Sequence, residues 1–208
     1  MDKSSGQTAA YGLPPGSRTA ASARTRSRLM TAAVELIAEV GWGRVTTRAV
    51  AERAGLPHGS VSYHFRGKQE MLIEAALTAF QEAVPTDQFA AADSVDNLIT
   101  LIAAELGRPG APLESVLSRL MLETMREAER DPALRDRMGA LLADYRHIIV
   151  ATVRTDQQRG AVIDGVPAEA VATFLAALGD GLLLHALLDR KLDVTAALEA
   201  VRIMLRPT

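Results

Sequence analysis

Apolar residues recur three and four positions apart along most of this chain, which is the spacing of one face of an α-helix. In the first such segment, over about 22–40, the stripe consists of Met30, Ala33, Val34, Ile37 and Val40. Gly41 follows as a helix stop. The sequence contains no sustained alternation of apolar and polar residues and no Asn-Gly hairpin turn. The pattern therefore predicts an all-α fold.

Turn residues and helix caps divide the pattern into nine candidate helices. Thr46 and Asp193 are positioned to cap two of them, and Asp131-Pro132 opens a third. A loop of small residues is expected after Pro85, and a second loop is expected at 107–110. The candidate helices span about 22–40, 46–54, 58–65, 68–84, 94–106, 113–129, 131–159, 167–189 and 194–205.

The second and third candidate helices are short and are separated by a turn at 54–57. The third helix buries little of its own, because Val61 and Phe65 are its only large apolar anchors. The side chains left facing outward are suited to phosphates and base edges. They are His58, Ser60, Ser62, Tyr63 and His64, with Arg66 and Lys68 just beyond. The arrangement predicts a helix-turn-helix whose second helix contacts DNA.

Residues 46–72 resemble the DNA-binding module of TetR-family transcriptional repressors. The matching residues stand at the family's spacings: Thr46, Val50-Ala51, Ala54-Gly55-Leu56, Gly59-Ser60-Val61, His64-Phe65, Lys68 and Met71-Leu72. The chain departs from the family at two positions. Ser62 stands where the family usually has a tyrosine, and Pro57 stands where it often has a capping Ser or Thr.

The resemblance implies a division of the chain into three parts. A flexible tail is expected at 1–21, a helix-turn-helix DNA-binding domain at 22–67, and a helical effector-binding and dimerisation domain at 68–208. Arg18, Arg24, Arg26 and Arg28 lie in the tail or at the start of the first helix. They could follow a phosphate backbone or enter the minor groove, or the tail could be plainly disordered.

Eight residues are expected to contact DNA. Thr47 and Arg48 open the second helix, where free backbone N–H groups and the helix dipole favour a phosphate. The resemblance places phosphate contacts there and on Lys68. Val50, Ala51, Leu56, Val61 and Phe65 are assigned to the small core of the domain. The expected DNA-contacting residues are Thr47, Arg48, His58, Gly59, Ser60, Tyr63, His64 and Lys68.

A homodimer is expected, because one short recognition helix reads too few base pairs for specificity in a genome. Gly179 and Gly181 lie inside an apolar helix, where each glycine costs about 1 kcal/mol relative to alanine. Glycine at such positions suggests that another helix approaches closely. The resemblance implies a four-helix bundle between subunits. The expected dimerisation residues are Val171, Leu175, Gly179, Leu182 and Ala186.

Apolar stripes with a few polar residues mark the second half of the chain as a candidate effector-binding region. Such stripes form the hydrophobic core in most proteins, but Glu123, Tyr145, His147, Asp180 and His185 lie on the same stretches. A mostly apolar cavity with a few polar groups suits a small organic ligand. The expected ligand-binding residues are Leu117, Met121, Met125, Leu141, Tyr145, Phe174 and Leu178.

Charge and composition agree with a DNA-binding first half. Residues 1–70 carry ten Lys or Arg and five Asp or Glu, whereas residues 71–208 carry thirteen and twenty. A basic surface suits a polyanion. The chain has no cysteine, no uninterrupted apolar run of about 18 residues and no apolar segment near its start. A cytoplasmic location is therefore expected.

The function that these observations favour is a dimeric repressor that binds a palindromic operator and is released by a small, mostly apolar organic effector. A DNA-binding regulator or activator without an effector is the alternative. An all-α enzyme is a remote third, since no HExxH, GxSxG or phosphate-binding loop is found. No metal site and no cofactor are expected, because the histidines stand apart from suitable partners.

Overall fold

A computed structural model describes residues 15–84, 86–106 and 116–207. Within these ranges the chain forms ten α-helices and one short 3₁₀ helix, Trp42–Arg44, and no strand, which confirms the predicted all-α fold. The helices are α1 (Pro15–Val40), α2 (Thr47–Arg53), α3 (Ser60–His64), α4 (Lys68–Ala83), α5 (Thr86–Ala91), α6 (Val95–Leu106), α7 (Val116–Ala128), α8 (Pro132–Gln158), α9 (Ala168–Leu188) and α10 (Val194–Met204).

Side chains cap three helices, and the caps predicted at Thr46 and Asp193 are confirmed. The Thr46 hydroxyl accepts a hydrogen bond from the backbone N–H of Ala49 at 3.1 Å. The Asp131 carboxylate accepts one from the N–H of Leu134 at 3.1 Å, and that of Asp193 accepts one from Ala196 at 2.8 Å. Each side chain thus satisfies a donor that the first turn of a helix leaves without an intrahelical partner.

Two elements differ from the sequence predictions. The first helix begins at Pro15 rather than near 22, because proline suits the first helical turn and the Ala-rich segment after it favours a helix. The loop predicted after Pro85 is wrong for 86–91, which form α5. Asp87 in the first turn of α5 complements the helix dipole. The loop predicted at 107–110 lies outside the described residues.

Two apolar clusters form the core. The first joins α1, the 3₁₀ helix, α2, α3 and α4, and also takes in Leu120 of α7 and Leu134 of α8. The second joins α6, α8, α9 and α10 around Leu98, Leu175 and Leu198. The first cluster runs across the domain boundary expected between 67 and 68, because α4 packs along α1. The helix-turn-helix is therefore continuous with the elements that follow it.

Candidate functional site

The turn between α2 and α3 is closed by backbone hydrogen bonds around a glycine. The N–H of Leu56 donates to the carbonyl of Ala51 at 2.9 Å, and the N–H of Gly55 donates to that of Glu52 at 3.0 Å. Gly55 has φ +62°, a left-handed conformation that side chains disfavour. Arg28 of α1 donates to the carbonyl of Ala54 at 2.5 Å. These contacts fix the angle at which α3 leaves α2.

Helix α3 is anchored by the two residues that the sequence predicts. Val61 is 1% exposed and Phe65 is 4% exposed, and both lie in the first core cluster. Tyr63 is 82% exposed, and its ring contacts that of His64 edge to face at 4.9 Å. The predicted core assignment of Val50, Ala51, Val61 and Phe65 is confirmed, and Leu56 packs partly buried against them.

The eight residues expected to contact DNA lie on three successive elements. Thr47 and Arg48 form the first turn of α2, and Lys68 begins α4. The other five lie on α3 or in the turn that precedes it: His58, Gly59, Ser60, Tyr63 and His64. Arg48, His58, Gly59 and Tyr63 are exposed, and the remaining four are half-buried. The Lys68 ammonium lies 3.4 Å from the carbonyl of Gly43 in the 3₁₀ helix.

Two arginines that could have reached DNA are engaged within the domain. Arg26 forms an ion pair with Glu74 at 2.5 Å, and its guanidinium lies 4.7 Å from the centre of the Phe65 ring. Arg28 binds the turn carbonyl described above. Arg26 thus links α1 to α4 and to the end of α3, and Arg28 links α1 to the end of α2. Arg24 remains exposed.

A chain of hydrogen bonds joins the 3₁₀ helix and the start of α4 to α7 and α8. The backbone N–H of Trp42 donates to the Glu123 carboxylate at 3.2 Å, and the Trp42 indole donates to the Gln69 side-chain carbonyl at 3.2 Å. Gln69 in turn donates to the Asp131 carboxylate at 2.7 Å, and this bond lowers the pKa of Asp131. We call this connection the Trp42 network (Trp42, Gln69, Glu123 and Asp131). No local pattern in the sequence predicts it.

A cavity of about 280 Å³ lies between α4, α5, α6, α7, α8 and α9. Of the seven residues expected to bind a ligand, Met121, Leu141 and Tyr145 line it. The other four do not: Leu117, Met125 and Phe174 are exposed, and Leu178 packs against the second core cluster.

Polar groups in the cavity wall are few. The Tyr145 hydroxyl donates to the carbonyl of Phe80 at 3.2 Å, and burial raises the pKa of Tyr145. Arg146 and Thr173 line the same space, and so does Asp180, whose pKa is raised by desolvation. Of the other polar residues noted in the sequence, Glu123 belongs to the Trp42 network, and His147 and His185 are exposed.

The lining also includes apolar residues that sequence reasoning did not assign to a ligand site. They come from elements that precede the predicted region, such as Phe80 and Val84 near the end of α4, Phe89 of α5 and Ile102 of α6. Their helical spacing gives no signal that separates a cavity wall from an ordinary core. Helix α9 also contributes to the cavity wall, through Ala176, Gly179 and Asp180.

Helix α9 buries one face and leaves another exposed. Val171, Leu175, Leu182 and Ala186, four of the five expected dimerisation residues, are buried within the chain. A Cβ atom at the fifth, Gly179, would lie 4.0 Å from Ile102, so this glycine faces α6. The exposed apolar side chains on α9 and α10, which we call the α9–α10 face, are Phe174, Leu184, Leu188, Ile203 and Met204.

Two family models match the chain. Residues 29–75 match the model of bacterial regulatory proteins of the tetR family. Residues 108–207 match the C-terminal model of BetI-type transcriptional repressors. The first match covers the helix-turn-helix, and the second runs through α7, α8, α9 and α10.

Individual relatives agree with both matches. The HTH-type transcriptional repressor Rv1474c of Mycobacterium tuberculosis is 26% identical over 77% of this chain and 81% of its own length. A putative transcriptional regulator from Saccharomonospora viridis, solved in complex with choline, is 27% identical with a TM-score of 0.71, covering 87% of this chain and 95% of its own. The putative regulator SCO7518 of Streptomyces coelicolor A3(2) is 28% identical with a TM-score of 0.69, covering 88% and 98%.

Proposed function

This chain belongs to the TetR family of bacterial regulatory proteins, and from that premise we propose that it is a ligand-responsive, cytoplasmic repressor. As a homodimer it binds a palindromic operator, and it releases the operator when a small organic molecule enters the cavity. The observation that carries the DNA-binding part is α3 itself. Val61 and Phe65 are buried and hold the helix in place, whereas the side chains on its opposite side face solvent. Those side chains are therefore available to contact DNA.

The α9–α10 face supports the dimer. Helix α9 is apolar enough over 21 residues to cross a membrane by length and composition, yet only 22% of its most apolar stretch is buried in the chain. Phe174, Leu188 and Met204 are among the large side chains left uncovered. A second copy of the same face would remove them from water, and a two-fold axis would pair two recognition helices with two half-sites. The five dimerisation residues expected from the sequence would then stabilise α9 within each subunit instead of contacting the second copy directly.

The course of α4 supports release by a ligand. This helix begins at Lys68, beside the helix-turn-helix, and Phe80 near its other end lines the cavity. Tyr145 is bound to the carbonyl of Phe80. A ligand that fits the cavity better when α4 has shifted would favour a conformation that fits the operator badly. The regulator from Saccharomonospora viridis was solved in complex with choline, which supports a small organic molecule as the ligand.

A regulator or activator without an effector remains the second candidate, because the helix-turn-helix alone would serve it. One experiment distinguishes the two candidate functions. A panel of small molecules is screened for a rise in melting temperature, which a ligand of the folded state must cause. A stabilising molecule that also releases DNA supports the repressor. Stabilising molecules that leave DNA affinity unchanged support the second candidate.

Two alanine substitutions test the DNA contacts, using a duplex selected from a random library. Tyr63→Ala should weaken binding to the selected duplex by about 10-fold or more and affect random DNA less, since groove contacts specify sequence. Lys68→Ala should weaken binding to both duplexes alike and reduce the slope of log K against log salt by about one. Fluorescence anisotropy over a range of salt concentrations measures both effects.

Lys191→Ala is the matched control for the lysine, because Lys191 is exposed in the turn between α9 and α10. It should bind both duplexes as the wild type does. Tyr63→Phe separates the ring from the hydroxyl. Wild-type affinity and salt dependence in both alanine variants would refute the assignment of α3 and the start of α4 to DNA.

A further inference from the structure

The 3₁₀ helix Trp42–Arg44 is capped by a side chain from a distant helix. Its own N-cap residue, Gly41, has no side chain that could accept a hydrogen bond from the first turn. The carboxylate of Glu123 on α7 accepts instead, from the N–H of Trp42 at 3.2 Å. A Cβ atom at Gly41 would lie 3.1 Å from the same carboxylate oxygen, so Glu123 lies directly against this turn. The acceptor that a helix start usually takes from its own N-cap residue is therefore supplied by α7.

Arg126 also lies near this carboxylate, but the contact is weak. It stands one turn further along α7, with its guanidinium 3.9 Å from Glu123 Oε2, and its side chain is exposed. Exposed ion pairs of this kind contribute little, because water screens the charges and the long side chain loses entropy. Glu123 itself is half-buried. The hydrogen bond to the backbone of Trp42 is therefore the main polar contact of Glu123.

The 3₁₀ helix in turn contacts the start of α4, where a phosphate contact is expected. The carbonyl of Gly43 accepts a hydrogen bond from the Lys68 ammonium at 3.4 Å. The indole of Trp42 donates to Gln69, the neighbour of Lys68 in the chain. Lys68 is thus supported from the 3₁₀ helix through its own side chain and through the next residue. A shift of the 3₁₀ helix would remove both supports.

A supported lysine is better prepared to bind a phosphate than a mobile one. A lysine side chain loses conformational entropy when it binds, and a contact made beforehand reduces that loss. The ammonium has three donors, so the bond to Gly43 leaves two for a phosphate. The affinity that Lys68 contributes therefore depends on where the 3₁₀ helix lies, and hence on the cap from Glu123.

We propose that Glu123 is a positioning residue for DNA binding. It caps the 3₁₀ helix from α7 and thereby holds Lys68 where the ammonium can bind a phosphate. The proposal rests on the proposed function only in the assignment of Lys68 to DNA. Glu123 carries a negative charge, which by itself weakens binding to a polyanion. The sign of the effect of removing Glu123 therefore distinguishes its position from its charge.

Glu123→Ala should weaken binding to the selected duplex by about 3- to 10-fold, although the variant is less acidic than the wild type. The slope of log K against log salt should fall by about half a unit to one unit, because Lys68 loses its phosphate contact. Glu123→Gln keeps an acceptor oxygen for the Trp42 N–H and should restore the wild-type affinity and slope. Fluorescence anisotropy over a range of salt concentrations measures these effects.

Two further variants control for charge and for an independent effect. Glu129→Ala removes the same charge from an exposed position just after α7 and should bind as the wild type does. When Lys68 is already alanine, Glu123→Ala should weaken binding no further and should leave the slope unchanged, since both substitutions remove the same contact. Circular dichroism checks that each variant is folded at the temperature of the binding measurement.

The role of Glu123 and the proposed function fail in different ways. Weaker binding by Lys68→Ala, together with unchanged or tighter binding by Glu123→Ala, leaves DNA binding intact and overturns the role of Glu123. Additive effects of Glu123→Ala and Lys68→Ala, or a Glu123→Gln variant as weak as Glu123→Ala, overturn it too. A wild-type protein that binds no duplex overturns both proposals.

Discussion

Replacing Phe174 with glutamate should leave a folded monomer that binds the operator about 10²–10⁴-fold more weakly than the wild type. Phe174 is 46% exposed on the α9–α10 face and does not line the cavity. In a symmetric dimer, each subunit would bury one new carboxylate against apolar side chains, at a cost of several kcal/mol. The monomer loses the gain in affinity that comes from holding two recognition helices on one duplex.

The measurement combines light scattering after size exclusion with anisotropy on the selected duplex. Leu122→Glu is the matched control, because Leu122 is equally exposed, at 48%, but belongs to a different helix, α7. It should remain a dimer with wild-type affinity. A dimeric Phe174→Glu variant would show that this face is not the interface. A monomer that keeps full operator affinity would contradict the need for two half-sites.

Replacing Trp42 with alanine should reduce the free energy of unfolding by about 3–5 kcal/mol. Trp42 is 2% exposed and is the largest of the fully buried side chains. Its loss leaves a cavity at the point where the 3₁₀ helix meets α7, and it removes the donor that binds Gln69. For a chain of this size the melting temperature should fall by about 6–20 °C.

Urea unfolding followed by circular dichroism measures this effect. Trp42 is the only tryptophan of the chain, so fluorescence would disappear with the substitution. Trp42→Phe keeps most of the packing and removes the indole donor, and it should cost about 1–2 kcal/mol. The same unfolding midpoint in Trp42→Ala and wild type would contradict the role assigned to the Trp42 network in joining the two halves.

The helix-turn-helix could be predicted from the sequence because its signals are local. The turn at Gly55, the cap at Thr46 and the anchors Val61 and Phe65 all lie within one short segment. Periodicity likewise predicted most helix bounds. It failed for α5, whose six residues are too few to show a helical period. In a segment this short, the sequence pattern does not distinguish a helix from a loop.

The residues that line the cavity could be predicted only in part. Of the residues expected to bind a ligand, Met121, Leu141 and Tyr145 line the cavity, whereas Phe174 faces solvent. Phe174 and Leu175 are neighbours on one helix and differ only in which side of α9 they occupy. A hydrophobic stripe gives the apolar face of a helix. It does not say whether a neighbouring helix, a cavity or a second subunit covers that face.

The all-α architecture and the helix-turn-helix could be predicted from the sequence, because helix period, caps and turn residues act over a few neighbouring positions. The family could be predicted because residues 46–72 match its motif. Which distant side chains contact each other depends on how the helices pack. Trp42 and Glu123 are 81 positions apart, and Gln69 and Asp131 are 62 apart. Likewise, Arg26 turns inward to Glu74 from a segment that could have faced DNA. Such contacts depend on how helices pack, which local spacing does not encode.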